Sequence, residues 1–320
     1  MGNNTNRLAW LDVAKCIAII LMVIGHTSIP KQANNFIFAF HMPLFFIASG
    51  WTTNWSKYTI RRFIKRRIRT LLLPFIIYSS IVLMIQLHFE WMTMDEWLSN
   101  GWGGIALWFI PVLFLASIIA KVLYTLKEIG EGLFWVAVIL LLFVGIDLSY
   151  YQIRLPWALS TVFYAVFLIV LGSEWGKTEI EYGLKRKQLL MTIVAILIVG
   201  LISHFWRLDL RANRISPTFP LTIGAIAGSY MVFVLSRFLC GTETYVAKVV
   251  SNLLQKVGTE TFIIVAFSQI IIMLINHYAS TNMIVKYLIL IVLLILLSII
   301  KNYIVKLWTK VTMMFSSNSI

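Results

Sequence analysis

Charge is scarce in this chain, and acid is scarcer still. Only 12% of its 320 residues are Asp, Glu, Lys or Arg, against roughly 25% in soluble domains, and 13 acids face 27 Lys and Arg. With 60% hydrophobic residues, this composition excludes an ordinary soluble protein. Cysteine is nearly absent: Cys16 and Cys240 are the two, too few for a disulfide framework. Also missing are a low-complexity tract, a linker, a clear internal repeat and any polar stretch long enough to be a soluble domain. A single domain over residues 1–320 is therefore expected.

What is present instead is a series of long apolar runs. About 17 to 25 apolar residues form a helix that crosses the roughly 30 Å hydrocarbon layer. About ten such segments can be read: Leu8–Ile29, Asn35–Asn54, Arg69–Phe89, Ile105–Leu126, Leu133–Leu148, Trp157–Gly176, Leu189–Trp206, Leu221–Cys240, Thr259–His277 and Ile284–Val305. The predicted fold class is all-α, a polytopic integral membrane protein with about ten transmembrane helices. No small-residue cleavage site follows the first segment, which predicts a retained helix and not a signal peptide.

The net charge of +14 could point to nucleic acid, but its placement points to topology. The densest cluster, KYTIRRFIKRRIR from Lys57 to Arg69, lies between the second and third segments, and the positive-inside rule makes that loop cytoplasmic. Alternation then puts Lys121, Lys127, Lys177, Lys185, Arg237, Lys248 and Lys256 inside as well, with Arg7 and Lys306 near the two ends. The expectation is a multi-pass protein of the cell (cytoplasmic) membrane with both termini cytoplasmic. The lipid bilayer is its partner, and nucleic acid is not.

Ionisable groups within a bilayer are costly and tend to face a cavity or a partner. In the first segment these are Asp12, Lys15 and His26. Eleven residues turn a helix through about 1100°, so Lys15 and His26 lie about 20° apart on one face. Their axial separation is about 16 Å. Asp12, three residues before Lys15, is spaced for an ion pair. Lys15 snorkelling to inner headgroups while His26 caps the outer end would be the plainest account. His41 enters the second segment from the same side as His26, and His88, His204 and His277 also fall at outer helix ends. No HxxxH or HxxE pair occurs on one helix, so no metal is expected.

Arg62, Arg66 and Arg69 sit in the basic cluster, which serves topology and anionic lipid contact. Arg69, next to TLLLP, is least explained by that role, and guanidinium groups there could hold the phosphates of a nucleotide-like cosubstrate. Gly224 and Gly228 form a GxxxG, read as helix packing. The loop LDLRANR, Leu208–Arg214, is read as a solvated loop or as a polar rim for a hydroxyl-rich substrate.

These residues together resemble the acyltransferase family 3 membrane proteins. Lys15, ten residues and His26 are similar to the family's basic-x10-His motif; FHMPLFFIASG from Phe40 resembles its second-helix signature. RRIRTLLLP from Arg66 resembles the basic entry to the third helix, and LWFIP from Leu107 the fourth. RLPWAL from Arg154 and VGTETFIIVAF from Val257 are most similar to the fucose 4-O-acetylase-like subgroup. Two positions differ: Lys15 stands where many members have arginine, and Ser268 or Gln269 where many carry a histidine.

The resemblance implies transfer of an acyl group, usually acetyl, from cytoplasmic acetyl-CoA to a sugar hydroxyl of a polysaccharide or its lipid-linked precursor. It implies His26 as general base or nucleophile, helped by Asp12 and His41, with Lys15, Arg69, Arg66 and Arg62 on the CoA side. A carbohydrate acceptor and acyl-CoA are the partners expected, and a homodimer is left open. Composition and spacing alone fit a second reading about as well, a proton-coupled transporter using the Lys15/His26 stripe.

Overall fold

A segment surrounded by hydrocarbon must satisfy its own backbone, so long apolar runs become helices. The computed structural model describes residues 8–27, 29–100, 104–178, 186–278 and 282–317. Arg7 and Lys185 lie outside them. In chain order the helices are α1 (Ala9–Gly25), α2 (Lys31–Phe38), α3 (His41–Thr52), α4 (Ile60–Arg67), α5 (Leu73–His88), α6 (Met94–Asn100), α7 (Gly104–Leu107) and α8 (Phe109–Ile129). They continue with α9 (Glu131–Tyr150), α10 (Val162–Thr178), α11 (Arg186–Phe205), α12 (Thr218–Gly241), α13 (Tyr245–Thr259), α14 (Thr261–Tyr278) and α15 (Met283–Ser317). Among the described residues no strand forms beyond one isolated bridge, Asp209 with Arg214. The architecture is all-α and polytopic, as composition predicts. The chain divides into two units, Met1–Thr259 and Glu260–Ile320.

Eight of these helical stretches are long and apolar enough to cross a membrane. The first two predicted segments depart from that pattern. α1 has 17 residues, about 25 Å of rise. The second breaks at Ala39 and Phe40, where Phe40 leaves helical geometry at φ −139°. The break has a compositional reason: α2 opens with Lys31, Gln32, Asn34 and Asn35, too polar for hydrocarbon, whereas α3 is mostly apolar after His41. A third departure is α13, a 15-residue helix where a loop is expected.

The first unit has two ends, and α4 and α5 run between them as one helical stretch from Ile60 to His88. His26, His41, His88 and His204 lie at one, termed the histidine end, and α4 with its arginines lies at the other, the basic end. His277 closes α14 in the second unit. Close backbone approach holds the bundle together. A Cβ at Gly50 of α3 would overlap the Ile169 carbonyl, and one at Gly172 of α10 would overlap the Ile47 carbonyl, so these two helices touch backbone to backbone. In the GxxxG of α12, Gly228 seats the Phe40 ring and Gly224 faces Ile202. Gly258 of α13 lies against the Asp12 carbonyl in the first turns of α1.

Candidate functional site

α1 carries polar groups at both ends, as its spacing requires. At the basic end Lys15 Nζ lies 3.7 Å from Asp12 Oδ1. Asp12 is buried and Lys15 is half-buried. Around this start of α1, Trp10 meets the rings of Trp51 and Phe233 at centroid distances of 5.3 Å each, and the Arg237 guanidinium lies 4.2 Å over Trp10.

The basic cluster divides between outward and inward arginines. Arg62, Arg66 and Arg69 are exposed. Arg62 and Arg66 each sit 5.3 Å over the Tyr58 ring, and Arg66 Nη1 donates to Tyr58 Oη at 2.7 Å. Arg67 is the one turned inward: its Nη2 donates to Thr53 Oγ1 at 2.9 Å, and its guanidinium lies 5.1 Å over Phe63. A π-helical turn, Ile68–Leu72, comes directly after it and carries Arg69 outward. Such a turn inserts an extra residue and rotates the downstream helix, a change that helical spacing alone does not register.

A pocket of about 200 Å³ opens at the basic end, lined by Trp55, Ser56, Tyr124, Lys127, Glu128 and Lys177. Trp55 and Tyr124 stack at 4.8 Å. Lys127 and Lys177 both pair with Glu174, at 3.2 and 2.7 Å, so the pocket is close to electrically balanced.

At the histidine end His26 caps α1 and is exposed, whereas His41 opens α3 and is buried. His26 Nδ1 lies 2.7 Å from the Met22 carbonyl, and His41 Nδ1 lies 2.9 Å from the Ile37 carbonyl. A carbonyl only accepts, so in each neutral ring Nδ1 carries the proton and Nε2 presents the lone pair. The two imidazoles do not bond to each other. The Phe38 ring contacts both instead, 5.8 Å from His26 and 4.9 Å from His41.

The wall around His26 comes from α2 and from the hairpin after α11. Asn34 Nδ2 donates to the Gly25 carbonyl at 2.5 Å, next to His26, and its Oδ1 accepts from Arg207 Nη1 at 2.7 Å. The Arg207 guanidinium stacks 3.9 Å over Phe38. Arg211 and Asp209, in the loop LDLRANR, lie within electrostatic range of the same imidazole. That loop is a tight hairpin: Arg214 N donates to the Asp209 carbonyl at 2.8 Å, and Thr161 donates to the Leu210 carbonyl. Its Asn213 has left-handed φ of 50° and is buried with neither side-chain polar atom partnered.

Sequence reasoning brought His26, Asp12, Lys15 and His41 forward and missed Phe38, Asn34, Arg207 and Arg67. Phe38 stands just before the FHMP motif, but nothing in its spacing says that an arginine about 170 positions away would stack on it. Elsewhere Glu96 caps α6, accepting from Thr93 N at 2.9 Å and Thr93 Oγ1 at 3.1 Å, and these bonds hold its carboxyl below the usual carboxylate range. Ser268 and Gln269 are buried on α14. Among the described residues no group of three or more His, Cys, Asp or Glu is arranged to hold a metal ion.

Neither a curated protein nor a solved structure matches the chain. A family model described as an acyltransferase domain matches residues 8–303. That match runs from the residue preceding α1 far into α15 and so includes every group of both ends of the bundle. The chain belongs to acyltransferase family 3, the membrane acyltransferases.

Proposed function

We propose that the protein is a membrane-bound O-acyltransferase that moves an acetyl group from cytoplasmic acetyl-CoA to a sugar hydroxyl of a cell-surface polysaccharide or its lipid-linked precursor. In this reading the basic end faces the cytoplasm and the histidine end faces outward, consistent with the weight of Lys and Arg at the basic end. Family membership supports acyl transfer. The donor, acceptor and subgroup, including the fucose 4-O-acetylase-like one, belong to the proposal.

One observation carries the catalytic part: His26 is exposed at the end of α1 with Nδ1 committed to Met22, which leaves Nε2 as its basic nitrogen. As general base, Nε2 takes the proton of the acceptor hydroxyl while the oxygen attacks the thioester carbonyl. The carbon–sulfur bond breaks, and the CoA thiolate leaves and is protonated, so an ester and a free thiol result. Alternatively Nε2 attacks first and holds the acyl group until the acceptor oxygen displaces it. Both routes use the same nitrogen and release the same thiol. His41 helps fix the Phe38 wall against His26.

At the other end Lys15, oriented by Asp12, offers a cation to the donor phosphates, and Arg62, Arg66 and Arg69 surround the approach. Arg67 joins them as the inward guanidinium. Lys15 and His26 stand about 16 Å apart along one helix face, a span suited to a donor whose thioester is carried on a long flexible arm.

Acetyl-CoA turnover, read as released thiol from purified wild-type and His26→Ala protein with and without a mixture of cell-surface glycans, tests this reading. Release that needs His26 and rises with glycan supports it. No release by folded wild-type protein under any condition overturns it.

A further inference from the structure

The arginines beside His26 are not explained by acyl transfer to a neutral sugar. Arg207 is exposed, yet its guanidinium is fixed on both sides: it lies over Phe38 at 3.9 Å and donates to Asn34 Oδ1 at 2.7 Å. Asn34 in turn grips the Gly25 carbonyl, one residue from His26, and Phe38 contacts the His26 ring. Arg207 is thus tied to the catalytic imidazole by two separate short links. No carboxylate stands at ion-pair distance from Arg207, Arg211 or Arg214 among the described residues, whereas Lys15, Lys127 and Lys177 at the opposite end each have one. Asp209 alone offsets Arg207 and Arg211, which leaves a net positive charge around the imidazole.

A fixed guanidinium with unused N–H donors suits carboxylate or phosphate oxygens, which it can engage two at a time. A neutral sugar would need hydroxyl-to-amide or hydroxyl-to-carboxylate bonds, and the wall supplies few of these. Arg207 reaches the imidazole through Phe38 and Asn34, and Arg211 lies within electrostatic range of it, so the anion they hold belongs to the acceptor whose proton that imidazole receives.

We propose that the acceptor is an anionic glycan, bearing a carboxylate or phosphate near the hydroxyl that is acylated, and that Arg207 and Arg211 are the specificity residues that hold this group. The proposal rests on the outward, acyl-transferring reading of His26, and its test is chosen to separate the two. Full-length protein in phosphatidylcholine nanodiscs is titrated with three fluorescent oligomers of matched length: an oligogalacturonate, a glycerol-phosphate oligomer and a neutral oligogalactose. The expected result is that one anionic oligomer binds about tenfold or more tightly than the neutral one, the range of a charge-assisted contact, with a preference that shrinks as salt rises.

Combined R207Q and R211Q substitutions should reduce that preference to about twofold, while R207K retains part of it because the charge stays and the planar fork is lost. Each variant is required to keep the wild-type elution profile and unfolding temperature. R211Q alone, on an exposed hairpin, serves as the second variant if the pair fails to fold. The proposal is overturned if wild type shows no preference for either anion, or if the preference survives loss of both arginines. Arginine-dependent affinity that tracks added phosphatidylglycerol instead of oligomer charge assigns these residues to lipid headgroups and also overturns it. Arginine-dependent preference in a protein that never releases thiol from acetyl-CoA retains the anion site and removes the acyl-transfer reading.

Discussion

The two ends of the first unit handle charge in opposite ways. Inside the basic end, Lys15 faces Asp12, Lys127 and Lys177 face Glu174, and Arg237 lies on Trp10 within a packed aromatic group. Three lysines there thus face a carboxylate of their own chain, while buried Lys121 donates to the Trp55 carbonyl and Arg67 to Thr53. At the histidine end Arg207 and Arg211 are held by an aromatic face, an amide and a hairpin, without a carboxylate at ion-pair distance. Backbone geometry divides the same way: Glu90, Gln152, Trp157, Ala158 and Asn213, the residues with left-handed φ other than glycine among those described, all lie in connections at the histidine end. Each such residue costs of order 1–3 kcal/mol and tends to persist where function demands a geometry. Carboxylate-paired lysines are thus found at the basic end, although the π-helical turn Ile68–Leu72 also lies there. Left-handed residues and arginines without a carboxylate at ion-pair distance gather at the histidine end.

Substitutions can break this contrast, and the largest effect is expected at His26. His26→Ala should lower the rate of thiol release by about 10²–10⁴-fold, the usual range for a general base. His88→Ala, at the same end but outside the site, should change that rate less than about twofold. Comparable losses in both variants would remove the special role of His26.

Packing comes next. Gly50→Ala drives a methyl group into the Ile169 carbonyl, which cannot yield as a flexible side chain would. Overpacking of this kind costs about 1–3 kcal/mol and should lower the unfolding temperature measurably. Gly258→Ala meets the Asp12 carbonyl instead. It should raise the KM for acetyl-CoA more than it lowers kcat, because it displaces the turn carrying Asp12 and Lys15. An unchanged KM would separate α13 from the donor site.

Among the arginines, Arg67→Gln should raise the KM for acetyl-CoA about tenfold, as expected for loss of a charge-assisted bond. Arg69→Gln should raise it less than about twofold, since Arg69 points outward. The reverse order would favour the exposed guanidinium as the donor contact. The smallest effect concerns α6. Since the Glu96 carboxyl sits below its ordinary range in the folded chain, its cap is present above the usual carboxylate range and fades as the pH falls below it. A lower protection factor for the Thr93 amide in acid than at neutral pH, with the intrinsic pH dependence of exchange divided out, is the expected reading.

Much of this was legible in the chain before any fold. Asp12, Lys15 and His26 could be placed on one helix face because an α-helix repeats at a fixed angle and both polar ends lie on a single segment. Arg67 was harder to find than Arg69 because five residues of π-helix interrupt that angle directly after it. The hidden α13 reflects a similar limit: its apolar face is one-sided and short, so hydrophobic length does not reveal it, although it packs against α1 at the Asp12 carbonyl.

The sequence by itself determined the class of protein, the approximate number of crossings and the stripe along α1. These come from local rules, since a membrane requires each crossing segment to satisfy its own hydrogen bonds and helix geometry sets which residues share a face. Only the tertiary structure decided that Phe38 stands against both imidazoles, that Asn34 links Gly25 to Arg207, and that Arg207, far along the chain, stacks on Phe38. Those contacts depend on how close two backbones can approach, which glycines such as Gly50, Gly172 and Gly228 permit and no periodicity encodes.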